Sequence, residues 1–214
     1  QTWQRSNLLD YGVGRHDHAG SIEGTVVERR DGTLYLLLRT ESGFLWSATS
    51  PDGLQWSSLQ QTTIPSVTCC AQLARLADGR LALLWNAPPR HAPDNRHGRQ
   101  ELSLAFSSDE AQTWSKPVVV AAKYGDEHRT LSSDLRVSYP YLYERRPGEV
   151  WITTMQGGLR MKLNLADVDR AEIPVYQPPA ALVPQPGGIV MFGDSTTALR
   201  PGMVRLVYAD RIQD

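Results

Sequence analysis

The chain has 214 residues, 41% hydrophobic and 21% charged, and its 22 Lys and Arg against 23 Asp and Glu leave a net charge of -1. At ~100 to 200 residues per domain this is enough for one core or slightly more. The absence of a Lys/Arg block removes the electrostatic footprint of a nucleic-acid binder. The longest apolar runs, at 34–38, 81–85 and 118–122, fall far short of the ~18 residues that cross a bilayer, so no membrane span is expected. Gln1 opens the chain without a basic and apolar leader, which reads as a signal peptide absent or already removed. His16-Asp17-His18 places two His on one face of a strand, but no third ligand has metal-like spacing, so the segment reads as a substrate-lining or plain loop and no metal is expected. Next come three stretches of apolar run, turn, apolar run: 24–40 around Asp31-Gly32, 69–86 around Asp78-Gly79, and 139–155 around Pro147-Gly148. Asp-Gly between strands favours a two-residue type I′ hairpin, and Pro-Gly reverses the chain through another turn type. Cys69 and Cys70 are adjacent, which excludes a disulfide framework or a CxxC motif and leaves two small buried or half-buried residues.

A second repeated element follows two of the hairpins. SPDGLQW runs from Ser50 to Trp56 and SSDEAQTW from Ser107 to Trp114, the latter fitting Ser-x-Asp-x-Gly-x-Thr-Trp with Ala111 at the Gly position. Gln1-Thr2-Trp3 repeats the last three letters, so Trp3, Trp56 and Trp114 are spaced by 53 and 58 residues. A period of that order with about four strands per unit describes a β-propeller blade.

The element resembles the Asp box of the sialidase (neuraminidase) superfamily, whose members are six-bladed β-propellers. The resemblance implies an all-β fold, here a partial propeller of about three blades. It also implies that the box is a turn between the two outer strands of a blade, remote from the active site. The Asp carboxylate accepts backbone N–H bonds there while the Trp packs between sheets.

Two-residue turns would place Arg39 opposite Gly24 and beside Glu23, and Tyr139 opposite Gln156, all at the open ends of their hairpins. EGTVVERRDGTLYLLLR is similar to the family segment in which Glu23 corresponds to the base that activates the nucleophile and Arg39 to a member of a carboxylate-binding Arg triad. By the same likeness Arg99, shortly before the second Asp box, is a further triad member, with Arg96 as its competitor. SYPYLYE resembles the nucleophile segment and points to Tyr139, with Tyr141 as the fallback. These residue types suit one reaction. A sialic acid carries a carboxylate on its anomeric carbon, which a planar Arg fork binds bidentately. A carboxylate nucleophile would be repelled by that charge, whereas a Tyr deprotonated by an adjacent Glu is not, which is the known exception to the two-carboxylate rule of glycosidases.

The resemblance therefore implies an exo-α-sialidase-like glycoside hydrolase without a cofactor, acting on a sialylated glycan or related acidic sugar, with a secreted or periplasmic location favoured. The alternatives are a non-catalytic glycan-binding propeller and another exo-glycosidase. The family's first triad Arg and its acid/base Asp have no counterpart before Glu23, so upstream blades are expected as partners of residues 1–163. A six-bladed domain needs on the order of 330 residues, about twice what is present. Residues 164–187 are Pro-rich and read as a linker. Residues 188–214 run an apolar strand into Gly193-Asp194-Ser195, which resembles the first block of SGNH (GDSL-like) hydrolases, an α/β fold. That likeness implies Ser195 as a possible esterase nucleophile and, as a further alternative, a carbohydrate O-acetylesterase as the main activity. Without a general acid, worth typically ~10²- to 10⁴-fold in rate, these 214 residues alone are expected to release no methylumbelliferone from its sialoside; measurable release would refute this.

Overall fold

The computed structural model describes residues 3–11, 20–89, 98–122 and 136–169, together with the backbone of 191–192 and 206–208. The described elements are β1 (Ile22–Glu28), β2 (Leu34–Arg39), β3 (Phe44–Ser50), β4 (Gln60–Pro65), β5 (Gln72–Arg75), β6 (Leu81–Trp85), β7 (Glu101–Ser107), β8 (Val118–Ala122), β9 (Ser138–Arg146), β10 (Glu149–Gln156), β11 (Leu159–Asn164), the short helix α1 (Leu165–Asp169), β12 (Met191–Phe192) and β13 (Leu206–Tyr208). They form three antiparallel sheets in the orders β1-β2-β3-β4, β5-β6-β7-β8 and β12-β13-β11-β10-β9. The two short strands β12 and β13 pair with each other, and β13 runs along β11.

Each sheet buries one face against the next. Tyr35, Leu37 and Leu45 of the first sheet pack with Leu73, Leu83, Trp85 and Ala105 of the second. Leu84, Leu102 and Leu104 of the second pack with Leu142, Val150, Ile152 and Met161 of the third. Each such fully buried side chain stabilises the fold by about 1.5–3 kcal/mol. The first strands of successive sheets are also joined directly: Leu73 N–H donates to Thr25 Oγ1 at 3.0 Å, and the Gln72 carboxamide accepts from Leu142 N–H at 3.0 Å. Stacked antiparallel sheets, two of four strands and one of five, whose first strands neighbour one another are consecutive blades of a propeller.

The hairpin turns depart from the expected form. Arg29 pairs with Thr33 and Gly32 N–H donates to Arg29 O, leaving a three-residue loop in which Gly32 alone is left-handed, at φ 84°. Asp31 instead accepts from Thr33 N–H and Oγ1–H at 2.9 and 2.7 Å, a side-chain turn that keeps its own φ negative. Leu76, Asp78 and Gly79 repeat the arrangement. The extra residue, with a bulge between Ile22 and Thr25, sets Ile22 rather than Gly24 across from Arg39. At Pro147-Gly148 the two-residue turn forms as expected, with Arg146 across from Glu149. A bulge beside it, where Glu144 Oε1 accepts from Gly148 N–H at 2.8 Å, then shifts the register so that Gln156 faces Ser138 rather than Tyr139.

Both Asp boxes lie between the third and fourth strands of their blades. Ser50 and Ser107, the last residues of β3 and β7, accept through Oγ from Gly53 N–H at 2.8 Å and Ala111 N–H at 2.9 Å. Asp52 accepts from Leu54 and Gln55 N–H, both at 2.8 Å, and Asp109 from Thr113 N–H at 2.9 Å and Thr113 Oγ1–H at 2.5 Å. Gly53 is left-handed at φ 75°, and Ala111 takes the same region at φ 69° despite its Cβ. The Thr113 hydroxyl is the main reason that the Asp109 carboxyl is lowered to about 2 from 3.8. Because the folded-state value is depressed, the stabilisation is complete above the unfolded value and is lost as pH falls toward about 2. The stability difference between the wild type and Asp109→Asn, measured by urea denaturation at a series of pH values, should therefore shrink through this window; a difference constant down to about pH 2 would contradict it.

Candidate functional site

At one end of the inner strands, residues far apart in sequence converge. Arg39 ends β2 with its side chain buried, and its Nη1 donates to Glu23 Oε2 at 2.7 Å. Burial opposes the charge on Arg39, but the hydrogen bond and charge of Glu23, with smaller contributions from Tyr139 and Cys69, outweigh it and hold the guanidinium more firmly protonated than usual. Arg39 Nε is buried without a hydrogen-bond partner, a donor left over after the pairing with Glu23.

Tyr139 is half-buried near the start of β9, and the Arg99 guanidinium carbon lies 5.2 Å from its ring centroid. Arg99 is held from two sides: Nη2 donates to Thr68 O at 2.6 Å and Nη1 to Gln156 Oε1 at 3.4 Å. The same Gln156 oxygen accepts from Ser138 Oγ–H at 2.5 Å. Beneath them the Cys69 sulfur accepts from the backbone N–H of Tyr139. Its hydrogen bond with Cys70, helped by the Tyr139 N–H and the charge of Arg99, favours the Cys69 thiolate against the opposing effect of burial, and the same bond together with burial pushes the Cys70 thiol up.

Glu23 and Tyr139 share an uncommon backbone, with φ 54° and 58°. Left-handed residues other than Gly cost of order 1–3 kcal/mol and persist where the surroundings over-determine them, as they do at functional sites. Both are the second residue of the first strand of a sheet, Glu23 in β1 and Tyr139 in β9. Tyr141, by contrast, lies with Tyr143 and Trp151 on the exposed face of the third sheet, 61% accessible, and does not share the environment of Tyr139.

Glu23, Arg39, Arg99 and Tyr139 are thus brought together, and with them Cys69, which sequence reasoning took only as a small packed residue. Arg96, the His16-Asp17-His18 segment and Ser195 lie outside the described residues. Among the described residues no group of three or more His, Cys, Asp and Glu is placed to hold a metal.

Sequence reasoning also missed Asn86. It is fully buried, and its Nδ2 donates to Glu101 O and Val137 O, each at 2.8 Å. Its own carbonyl accepts from Val67 N–H at 3.1 Å, and Val137 N–H donates to Arg99 O at 2.8 Å. One residue, through its side chain and its backbone carbonyl, thereby ties together the segments that carry Arg99, Tyr139 and Cys69. The only sequence signal was a polar residue directly after the apolar strand β6. Gly157 adds a second close approach: at φ 86°, a Cβ there would lie 1.9 Å from Arg136 O, so a larger residue cannot fit beside the Tyr139 segment.

The described family of BNR repeat-like domains matches residues 1–152. The chain belongs to this family. Among solved structures, this BNR repeat-like propeller is similar to an α-L-arabinofuranosidase from Fusarium graminearum complexed with an iminosugar inhibitor, with TM-score 0.52 and 15% identity, over 76% of this chain and 50% of that one. It is also similar to a Hadza microbial sialidase, with TM-score 0.46 and 21% identity, over 64% of this chain and 25% of that one. A sialidase from Streptococcus pneumoniae matches with TM-score 0.41 and 20% identity, over 66% and 20% of the two chains. The likeness to the arabinofuranosidase shows a shared propeller fold. The chain spans about half the length of the first two structures it matches. No curated protein matches it.

Removing the Asn86 carboxamide leaves two buried carbonyls without their donor. Asn86→Ala should cost about 2–4 kcal/mol in urea denaturation; a cost below about 1 kcal/mol would show that the segments hold their positions without it.

Proposed function

We propose that the chain is the part of an exo-sialidase-type glycoside hydrolase that carries the nucleophile, its base and two of the arginines that bind the substrate carboxylate. The observation that carries the reading is the arrangement of Tyr139 beneath the Arg99 guanidinium, close to the Glu23–Arg39 ion pair. Arg39 is already paired with Glu23, whereas the contacts of half-buried Arg99 among the described residues are with the neutral oxygens of Thr68 and Gln156, and an anionic partner for that guanidinium favours an acidic sugar over a neutral one.

In the proposed reaction Arg39 and Arg99 bind the substrate carboxylate. Glu23 takes the phenol proton as the Tyr139 oxygen attacks the anomeric carbon, and the glycosidic oxygen leaves with a proton from an acid outside these blades. Water then attacks the anomeric carbon and gives its proton back to that outside acid as the bond to the Tyr139 oxygen breaks, while Glu23 returns the phenol proton to Tyr139, so the sugar is released with net retention. A glycan-binding propeller that performs no chemistry is the second reading, supported by the lack of a general acid among the residues assembled here.

In the protein that carries these blades within a complete propeller, Tyr139→Phe should lower sialoside turnover on the order of 10²-fold or more while leaving sialoside binding intact. Unchanged turnover would sink the nucleophile assignment. Turnover of an arabinofuranoside in place of a sialoside would overturn the acidic-sugar reading.

A further inference from the structure

The loop from Ser66 to Ala71 joins β4 to β5 and passes beneath the site. It is pinned at several points: Ser66 N–H donates to Gly43 O at 2.9 Å, Val67 N–H to Asn86 O at 3.1 Å and Cys69 N–H to Val67 O at 2.7 Å, while Thr68 O accepts from Arg99. Cys69 is buried, and Cys70 is partly accessible. Their side chains are hydrogen-bonded to each other, and the Cys69 sulfur also receives the Tyr139 backbone N–H. These are the only two cysteines of the chain.

We propose that Cys69 and Cys70 form a redox-active vicinal dithiol that exchanges with a small-molecule disulfide and couples its oxidation state to the positions of Tyr139 and Arg99. The accessible Cys70 sulfur attacks one sulfur of the disulfide R–S–S–R and displaces a first thiol R–SH. The Cys69 sulfur then attacks the Cys70 sulfur and displaces a second R–SH. The two cysteines are oxidised, the small disulfide is reduced, and the two cysteine protons end on the released thiols. The order of the two steps follows from access: Cys70 is the sulfur that a soluble disulfide can reach, and the buried Cys69 beside it is left to resolve the mixed disulfide.

The resulting ring is closed across a single peptide bond, with Cα atoms about 3.8 Å apart where disulfides usually span roughly 4.4–6.8 Å. Such strain makes the bond easily reduced, so exchange is reversible. Ring closure turns the 69–70 peptide and removes the anionic form of the Cys69 sulfur. The Tyr139 N–H loses its acceptor, and the Thr68 carbonyl that holds Arg99 shifts with the loop. This device does not depend on the glycosidase reading, since the dithiol and its contacts are features of the fold.

The test uses the full chain, reduced, freed of reductant and then treated with oxidised glutathione. The expected result is loss of both thiols by reagent titration in denaturant, an intact mass lower by two hydrogen atoms, a monomer, and full reversal by dithiothreitol. Cys69→Ser should stop at a glutathione adduct on Cys70. Phenylarsine oxide, which bridges two neighbouring thiols, should block the reaction in the wild type. A wild-type chain that stops at a glutathione adduct, forms disulfide-linked dimers or keeps both thiols free overturns the proposal. Coupling to the site is read separately by hydrogen exchange: the Tyr139 amide should exchange faster in the oxidised chain, and unchanged exchange overturns that part.

Discussion

The arrangement of the site depends on how three polar loops are held at the ends of strands whose packing is otherwise apolar. Asn86 does this with one carboxamide, which satisfies the carbonyls of Glu101 and Val137, while its backbone carbonyl holds Val67. A buried carbonyl without a donor costs about 1–3 kcal/mol, so the loops are fixed relative to one another by the penalty for separating. Arg99 is two residues from Glu101, Tyr139 two from Val137 and Cys69 two from Val67. Arg99, Tyr139 and Cys69 are therefore each placed by a bond from Asn86 to backbone two residues away, and hydrophobic burial alone would not have specified that geometry.

Among the described residues, left-handed backbone at positions other than Gly occurs at the site, in Glu23 and Tyr139, and in the second Asp box, in Glu110 and Ala111. Glu23 and Tyr139 occupy left-handed backbone with side chains that gain nothing from it locally. Their surroundings offset the cost: the Arg39 pair fixes Glu23, and Arg99 stacking, the Cys69 sulfur and the close approach of Gly157 to Arg136 fix the Tyr139 segment. Two blades thus meet the same constraint at matching strand starts. The Asp boxes are a contrasting case. Their left-handed Gly53 and Ala111 are satisfied by local Ser and Asp hydrogen bonds, and they sit at the outer strands, where their effect is on blade closure.

The three sheets share two apolar interfaces, yet the outer face of the third carries Tyr141, Tyr143, Trp151 and Met155 exposed. A sheet with apolar residues on both faces is one built for neighbours on both sides.

The blade grammar was legible from residues 24–156 alone, because period-two apolar runs, Gly-containing turns and Ser-x-Asp boxes are local signals with local physical causes. Glu23, Arg39, Arg99 and Tyr139 were legible as candidates through their place in that grammar. Register was not: an Asp side chain that caps its own turn adds a residue to a loop, and a bulge near Arg146 shifts a strand, choices made by hydrogen bonds between residues that the run of letters does not distinguish. Only the tertiary structure decided that Asn86 anchors three loops, that Gly157 must lack a side chain, and that the adjacent cysteines lie under the nucleophile candidate. Those facts depend on contacts across up to 70 residues of chain, such as the bond from Leu142 to Gln72, which exist only once the blades have stacked.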